Sequence, residues 1–112
     1  IAGLSMGGRH AFHVCFSHLD EFHSVGAFSL VAARDFGTRF AGVLADSESV
    51  NGKLGTVWIG CGDEDPLIGE SARFASLLEA KGIRYTLSIT AGQHTFASWR
   101  RQLAEFLPLL FQ

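Results

Sequence analysis

Three side chains in this sequence have the types and the chain order that nucleophilic acyl chemistry requires. Ser5 lies in GLSMGG, residues 3–8, whose G-x-S-x-G spacing is typical of a nucleophile elbow, a sharp strand-to-helix turn that displays a serine. The acidic loop GDEDP, residues 62–66, comes next, and then His94. A serine hydroxyl becomes nucleophilic when a histidine takes its proton and a carboxylate holds that histidine. These residues therefore predict attack of Ser5 on a carbonyl carbon.

Two carboxylates of the loop compete for the role of the acid. Asp65 lies furthest from the preceding strand, and Pro66 beside it stiffens the turn. Position alone favours Asp65 modestly over Asp63, and Glu64 between them is expected to be a solvated loop residue. Both aspartates stay open as candidates on this argument.

The elements that must position these groups alternate between strands and helices. The apolar runs SVGAFSLV and TVWIGC predict buried strands, and the alternation in IRYTLSIT predicts a strand near a sheet edge. With helices between them, the strands imply right-handed crossovers and an α/β fold, a mostly parallel sheet with helices on both faces. The acidic loop and His94 then each follow a strand, at the edge where such sheets place their sites.

Three segments predict helices around that sheet. GRHAFHVCFSHL is expected to be buried on more than one side, and Gly82 is expected to end the helix in GESARFASLLEAKG. The last helix is expected to carry one apolar stripe, formed by Phe96, Trp99, Leu103, Phe106 and Leu107. Pro108 should end or kink it. The least periodic stretch, residues 32–53, is expected to be a loop with a short helix.

Composition bounds the class of protein. A chain of 112 residues with 47% hydrophobic and 18% charged residues predicts one globular domain, residues 1–112. A net charge of −2 gives no electrostatic reason to expect a nucleic-acid or membrane partner, and no apolar run approaches the ~20 residues of a membrane span. Cys15 and Cys61 are expected to be buried reduced thiols, which favours a reducing compartment and a cytoplasmic location.

The other histidines raise the question of a metal. His10 and His13 are three residues apart on one predicted helix and, with His18 or His23, could suggest a metal site. No carboxylate or cysteine completes a ligand set at characteristic spacing. Structural histidines are the favoured interpretation, and neither a metal nor an organic cofactor is expected.

The sequence provides one of the two N–H donors that such a site uses to stabilise the oxyanion. The backbone N–H of Met6, directly after the nucleophile, lies at a predicted helix N-terminus that favours negative charge. The second donor of such a site comes from a loop after an earlier strand, and no such strand precedes Ser5 in this sequence.

The segments GLSMGG, VGAFS, GCGDEDPLI and GQHTFASWRRQLAEFLPLLF together resemble the C-terminal half of an esterase family of α/β-hydrolases. This family includes enterochelin, feruloyl and acetyl-xylan esterases, S-formylglutathione hydrolases and mycolyltransferases. The resemblance implies that Ser5 is the nucleophile, Asp65 the acid of the family's G-x-x-D loop, and His94 the base. Trp99 matches a tryptophan of the feruloyl and enterochelin branches, with a core role anchoring the last helix favoured over substrate stacking.

The resemblance implies hydrolysis of a small ester through an acyl-enzyme. Family members have several more strands before the elbow, so the sequence is expected to form a half domain that begins at the elbow. Because a cut there would expose apolar surface, a homo-oligomer is expected. Two alternatives stay open, a non-catalytic half domain that oligomerises or binds a partner, and an acyltransferase of the same fold.

Overall fold

Four strands form a parallel sheet in which the spatial order follows the chain. The computed structural model describes residues 1–31 and 34–112. Its strands are β1 (Ala2–Leu4), β2 (Ser24–Phe28), β3 (Thr56–Gly62) and β4 (Thr86–Thr90). All neighbouring pairs are parallel, in the order β1-β2-β3-β4, so every strand ends at the same edge of the sheet. The predicted α/β class with a parallel sheet is confirmed, and β4 lies at a sheet edge as predicted.

Helices connect the strands. They are α1 (Met6–Ser17), α2 (Phe36–Arg39), α3 (Ala41–Leu44), α4 (Ser47–Lys53), α5 (Ile68–Ala80) and α6 (Phe96–Phe106). The prediction for residues 32–53 was too coarse, because three short helices lie there; residues 32 and 33 are outside the described part of the chain. Phe36, Phe40 and Leu44 recur every fourth residue and are buried, which explains why the chain coils here.

One face of the sheet carries most of the apolar core. Phe12 of α1 packs edge-to-face on Phe74 of α5, with ring centroids 4.8 Å apart, and Phe36 packs similarly on Phe74 at 5.0 Å. The prediction that α1 is buried on more than one side is wrong. Its buried residues form a single face, while Val14 is 42% exposed.

The opposite face is covered by α6. Its buried residues are Ser98, Gln102 and Phe106, so the predicted apolar stripe is wrong except at Phe106 and the half-buried Trp99. The other three members of that stripe are exposed, namely Phe96, Leu103 and Leu107. Gln102 lies over Gly60, where a β-carbon would overlap the Trp58 ring and meet Gln102 Oε1 at 3.1 Å, so the glycine leaves room for both side chains. As predicted, α6 ends before Pro108, in a 3₁₀ turn.

Both cysteines are free and buried. Burial raises the pKa of the Cys15 thiol to about 11, so this thiol is protonated at neutral pH. Within residues 1–31 and 34–112, no helix is both long and apolar enough to cross a membrane.

Candidate active site

Ser5 occupies a strained turn between β1 and α1. Its φ is 54° and its ψ −120°, and its backbone N–H donates to the Phe28 carbonyl at 2.7 Å. A residue with a β-carbon rarely adopts a positive φ, so the backbone of Ser5 is strained at this strand-to-helix turn. Gly3 permits the turn, because a β-carbon there would overlap the carbonyl of Gly7. A β-carbon on Gly7 itself would meet nothing within 4 Å, so space is required only at the first of these two glycines.

His94 reaches Ser5 from the turn after β4. Gly92, with a φ of 138°, lets the chain reverse there, and Thr95 then caps α6 by accepting from the Ser98 N–H at 3.4 Å. The His94 Nε2 lies 3.1 Å from Ser5 Oγ. Ser5 and His94 are 89 residues apart in the sequence. They are brought together because each follows a strand of the parallel sheet, and these strands end at the same edge of the sheet.

The two candidate acids, Asp65 and Asp63, have different contacts. Asp65 Oδ2 lies 2.9 Å from His94 Nδ1, while its Oδ1 accepts from the Leu67 N–H at 2.8 Å. Asp63 is exposed and accepts from the Gly92 N–H at 3.0 Å, which ties the acidic loop to the turn before His94. Asp65 therefore contacts the imidazole, and Asp63 supports the turn.

The environment of Asp65 favours its charged form. The residue is 2% exposed. Burial alone would raise the pKa of its carboxyl, but the neighbouring Ser29 hydroxyl, the hydrogen bond from the Leu67 N–H and the contact with the His94 ring outweigh burial and lower the pKa below its ordinary value. Asp65 is thus an ionised carboxylate at neutral pH.

Met6 is the first residue of α1, so its backbone N–H lies at a helix N-terminus directly after Ser5. Its side chain is 56% exposed.

Two residues at the site were not predicted to contact it. Ser29 directly follows β2, is fully buried, and accepts a hydrogen bond from Trp99 Nε1 at 2.9 Å. The Trp99 ring packs edge-on against His94, with centroids 4.9 Å apart and an interplanar angle of 87°. One feature of the sequence could have indicated that Ser29 lies near the site: its position at the end of a predicted strand, in the VGAFS segment.

The remaining histidines lie apart from this cluster. His13 stacks on Phe36 with centroids 5.8 Å apart, and burial lowers its pKa. His18 lies 3.5 Å from Glu21 on the protein surface. Over the part of the chain that the structure describes, no three His, Cys, Asp or Glu side chains are grouped as a metal site would require.

The chain belongs to the family described as "Putative esterase", whose model matches residues 1–110. Its fold is similar to that of a ferulic acid esterase, with a TM-score of 0.78 and 23% identity over 98% of this chain and 50% of that one. It is also similar to an S-formylglutathione hydrolase, FrmB of Staphylococcus aureus, with a TM-score of 0.80 and 21% identity over 100% of this chain and 50% of that one. A third similar structure is FphF, a fluorophosphonate-binding serine hydrolase of the same organism (TM-score 0.81, 19% identity, 100% and 54% coverage). These matches confirm the α/β-hydrolase fold class, and this chain spans about half the length of each structure.

Proposed function

We propose that this chain holds the catalytic residues of a serine carboxylic-ester hydrolase, with Ser5 as nucleophile, His94 as base and Asp65 as acid. The observation that carries the proposal is the unbroken line of contacts from Ser5 Oγ to His94 Nε2 at 3.1 Å and from His94 Nδ1 to Asp65 Oδ2 at 2.9 Å. Membership of an esterase family supports the same reaction.

In the first half of this reaction, His94 Nε2 takes the Ser5 proton while Oγ attacks the carbonyl carbon of the ester. The negative charge moves to the carbonyl oxygen, where the Met6 N–H and the N-terminus of α1 stabilise it. Buried Asp65 stabilises the imidazolium that forms and fixes the tautomer of His94. The imidazolium then protonates the leaving alcohol as its C–O bond breaks, which leaves an acyl-enzyme on Ser5.

In the second half, His94 removes a proton from water, and the resulting hydroxide attacks the acyl carbon. The bond to Ser5 Oγ breaks, the serine regains its proton from His94, and a carboxylic acid leaves. Every proton in this cycle passes through His94, so neither a metal nor an organic cofactor takes part. The substrate class is a small ester, in keeping with the names of the ferulic acid esterase and the S-formylglutathione hydrolase that share the fold.

The test is hydrolysis of p-nitrophenyl acetate by the purified chain and by Ser5→Ala, which keeps the β-carbon and therefore the backbone of the elbow. We expect turnover by the wild type and its loss in the variant, with the circular dichroism spectrum unchanged. Ser76→Ala, on an exposed position of α5, is the matched control and should retain full activity. Equal turnover by Ser5→Ala and the wild type would contradict the proposal.

We also propose that the chain forms a homo-oligomer through the β1 edge of the sheet. β1 pairs with β2 on one side, and within the described residues no other strand pairs with its outer side. Two apolar side chains at this edge, Ile1 and Leu4, are 41% and 38% exposed. An exposed apolar edge is a template for pairing with a second copy. Sedimentation equilibrium should give a dimer or larger species at micromolar concentration, and a stable monomer would contradict this.

A further inference from the structure

The strand β4 forms one edge of the sheet and has a symmetric pattern of side chains. Its sequence is TLSIT, with Ser88 at the centre, one large aliphatic residue on each side of it and a threonine at each end. None of these residues is charged and none is proline, although natural proteins use both kinds of residue to protect an exposed edge. Two copies of this strand that run in opposite directions therefore present nearly the same side chains to each other.

The outer side of β4 has backbone groups that face away from the sheet. The Asp63 N–H donates to the Thr90 carbonyl at 2.8 Å, so the backbone of Thr90 faces β3. Backbone groups alternate in direction along a strand, and those of Leu87 and Ile89 therefore face outward. Within the described residues no other strand pairs with this outer side. Leu87 and Ile89 are thus the residues of β4 whose backbone groups can hydrogen-bond to an added strand.

The side chains of Leu87 and Ile89 lie on the face of the sheet that carries most of the apolar core. Their partners across the ladder to β3, Ile59 and Cys61, are fully buried. At the edge, however, Leu87 is 36% exposed and Ile89 is 47% exposed. A second sheet joined at this edge would cover both side chains and continue the apolar face across the junction.

We propose that β4 pairs antiparallel with β4 of a second copy of this chain, about a two-fold axis at Ser88. In this register Leu87 lies opposite Ile89 of the second copy, and Thr86 lies opposite Thr90 of the second copy. Aliphatic and threonine pairs of this kind stabilise antiparallel sheets, and a two-fold axis forms each pair twice. Each Leu87–Ile89 pair is of the hydrogen-bonded type, in which the two residues exchange both N–H to carbonyl bonds.

The opposite face of the sheet permits this pairing and limits its length. The Ser88 hydroxyl donates to the Glu105 carboxylate of its own chain at 2.5 Å, in an exposed contact. The two carboxylates near the axis therefore stay hydrated and are screened by salt. Beyond the strand, the Arg101 side chain donates to the Ala91 carbonyl at 2.8 Å and occupies the next outward-facing acceptor. The ladder between the two copies is thus confined to β4.

This interface is distinct from the β1 edge, because β1 and β4 lie at opposite edges of the sheet. It also does not depend on the proposed reaction, since it contributes no group to the contact between Ser5 and His94. Pairing through β1 alone would leave the β4 strands of the two copies far apart. A measurement that reports the distance between the two β4 strands therefore separates the two interfaces.

Disulfide trapping on the full chain makes this measurement. Position 88 opposes itself across the axis in a non-hydrogen-bonded pair, with Cα atoms about 4.5 Å apart, a separation that a disulfide spans. Ser88→Cys should therefore form a disulfide-linked dimer under mild oxidation at micromolar concentration. Ser76→Cys, on an exposed position of α5, is the control and should cross-link at least about 10-fold more slowly, because only random collisions bring its thiols together. Cys15 and Cys61 are buried and do not compete.

A charge at the edge separates this pairing from a chance disulfide. In the Ser88→Cys background, Leu87→Lys should slow cross-linking about 10-fold, because it removes both Leu87–Ile89 contacts and places a charge at the edge. Val14→Lys, at a similarly exposed apolar position of α1, is the matched control and should leave the rate unchanged. Circular dichroism checks that each variant is folded. Equal cross-linking of Ser88→Cys and Ser76→Cys, or a rate that Leu87→Lys does not change, would overturn the inference.

Discussion

The two ends of the parallel sheet differ in the kind of groups that lie beside the strands. At the carboxyl end, the side chains of Ser5 and Asp65 both contact His94, and Ser29 accepts a hydrogen bond from Trp99. Ser5 and Ser29 have strained backbones. At the amino end, a surface pocket of about 290 Å³ is lined by residues that include Arg84. Beside that pocket, the Gly55 N–H donates to the His23 carbonyl at 2.8 Å, and the Arg84 side chain donates to the Asn51 carbonyl at 2.7 Å.

The difference shows that polar side chains converge at the carboxyl end of the sheet. The helices α1, α5 and α6 all begin near the carboxyl end, after β1, β3 and β4. Their N-termini bring backbone N–H groups and partial positive charge to the place where an oxyanion and a carboxylate need them. The amino end receives helix C-termini, and the hydrogen bonds between Arg84 and Asn51 at this end are exposed to solvent. Chemistry is therefore expected at one end only.

The sharpest test of this difference within one loop uses the two aspartates. Asp65→Asn should lower kcat on the order of 10⁴-fold, because an amide cannot stabilise the imidazolium and favours the wrong tautomer of His94. Asp63→Asn should cost little, since an amide oxygen can still accept from the Gly92 N–H. Steady-state kinetics with p-nitrophenyl acetate measure both. If the two losses are reversed, Asp63 rather than Asp65 is the acid.

A second test uses the paired glycines at the elbow. Gly3→Ala places a β-carbon against the Gly7 carbonyl, so we expect a loss of about 1–3 kcal/mol in the free energy of unfolding and a fall in kcat as Ser5 moves. Gly7→Ala is the matched control in open space on α1, and helix propensity predicts a gain of about 0.5–1 kcal/mol. Urea unfolding checks both, and equal losses in the two variants would contradict the packing account.

The smallest effect is expected at the amino end. Arg84 donates to the Asn51 carbonyl at 2.7 Å on the exposed surface beside the pocket. Arg84→Ala should change the free energy of unfolding by less than about 1 kcal/mol and leave kcat/KM unchanged. A large loss of activity in this variant, with the fold intact, would show that the amino end takes part in the reaction.

The fold class, and the proximity of Ser5, Asp65 and His94 at one edge of the sheet, could be predicted from the sequence because both follow from local patterns. Apolar runs identified three strands, and Asp65 and His94 each follow one of them. If the strands are parallel, both residues must lie at the same edge of the sheet. The contact between Ser29 and Trp99, 70 residues apart, could not be predicted, because it depends on how α6 is rotated over the sheet. That rotation was predicted wrongly for the same reason. The apolar residues of α6 indicated an apolar face, whereas the face that packs on the sheet carries Ser98, Gln102 and Phe106.

The central claim is that Ser5 is activated by the line of contacts through His94 to Asp65, and covalent labelling tests it most directly. A fluorophosphonate phosphonylates a serine only when that serine is nucleophilic, so the purified chain is incubated with the probe and the adduct is located by peptide mass spectrometry. We predict one adduct on the peptide that contains Ser5, absent in Ser5→Ala and formed far more slowly in His94→Ala. An adduct on another serine, or equally fast labelling of the wild type and His94→Ala, would contradict the account.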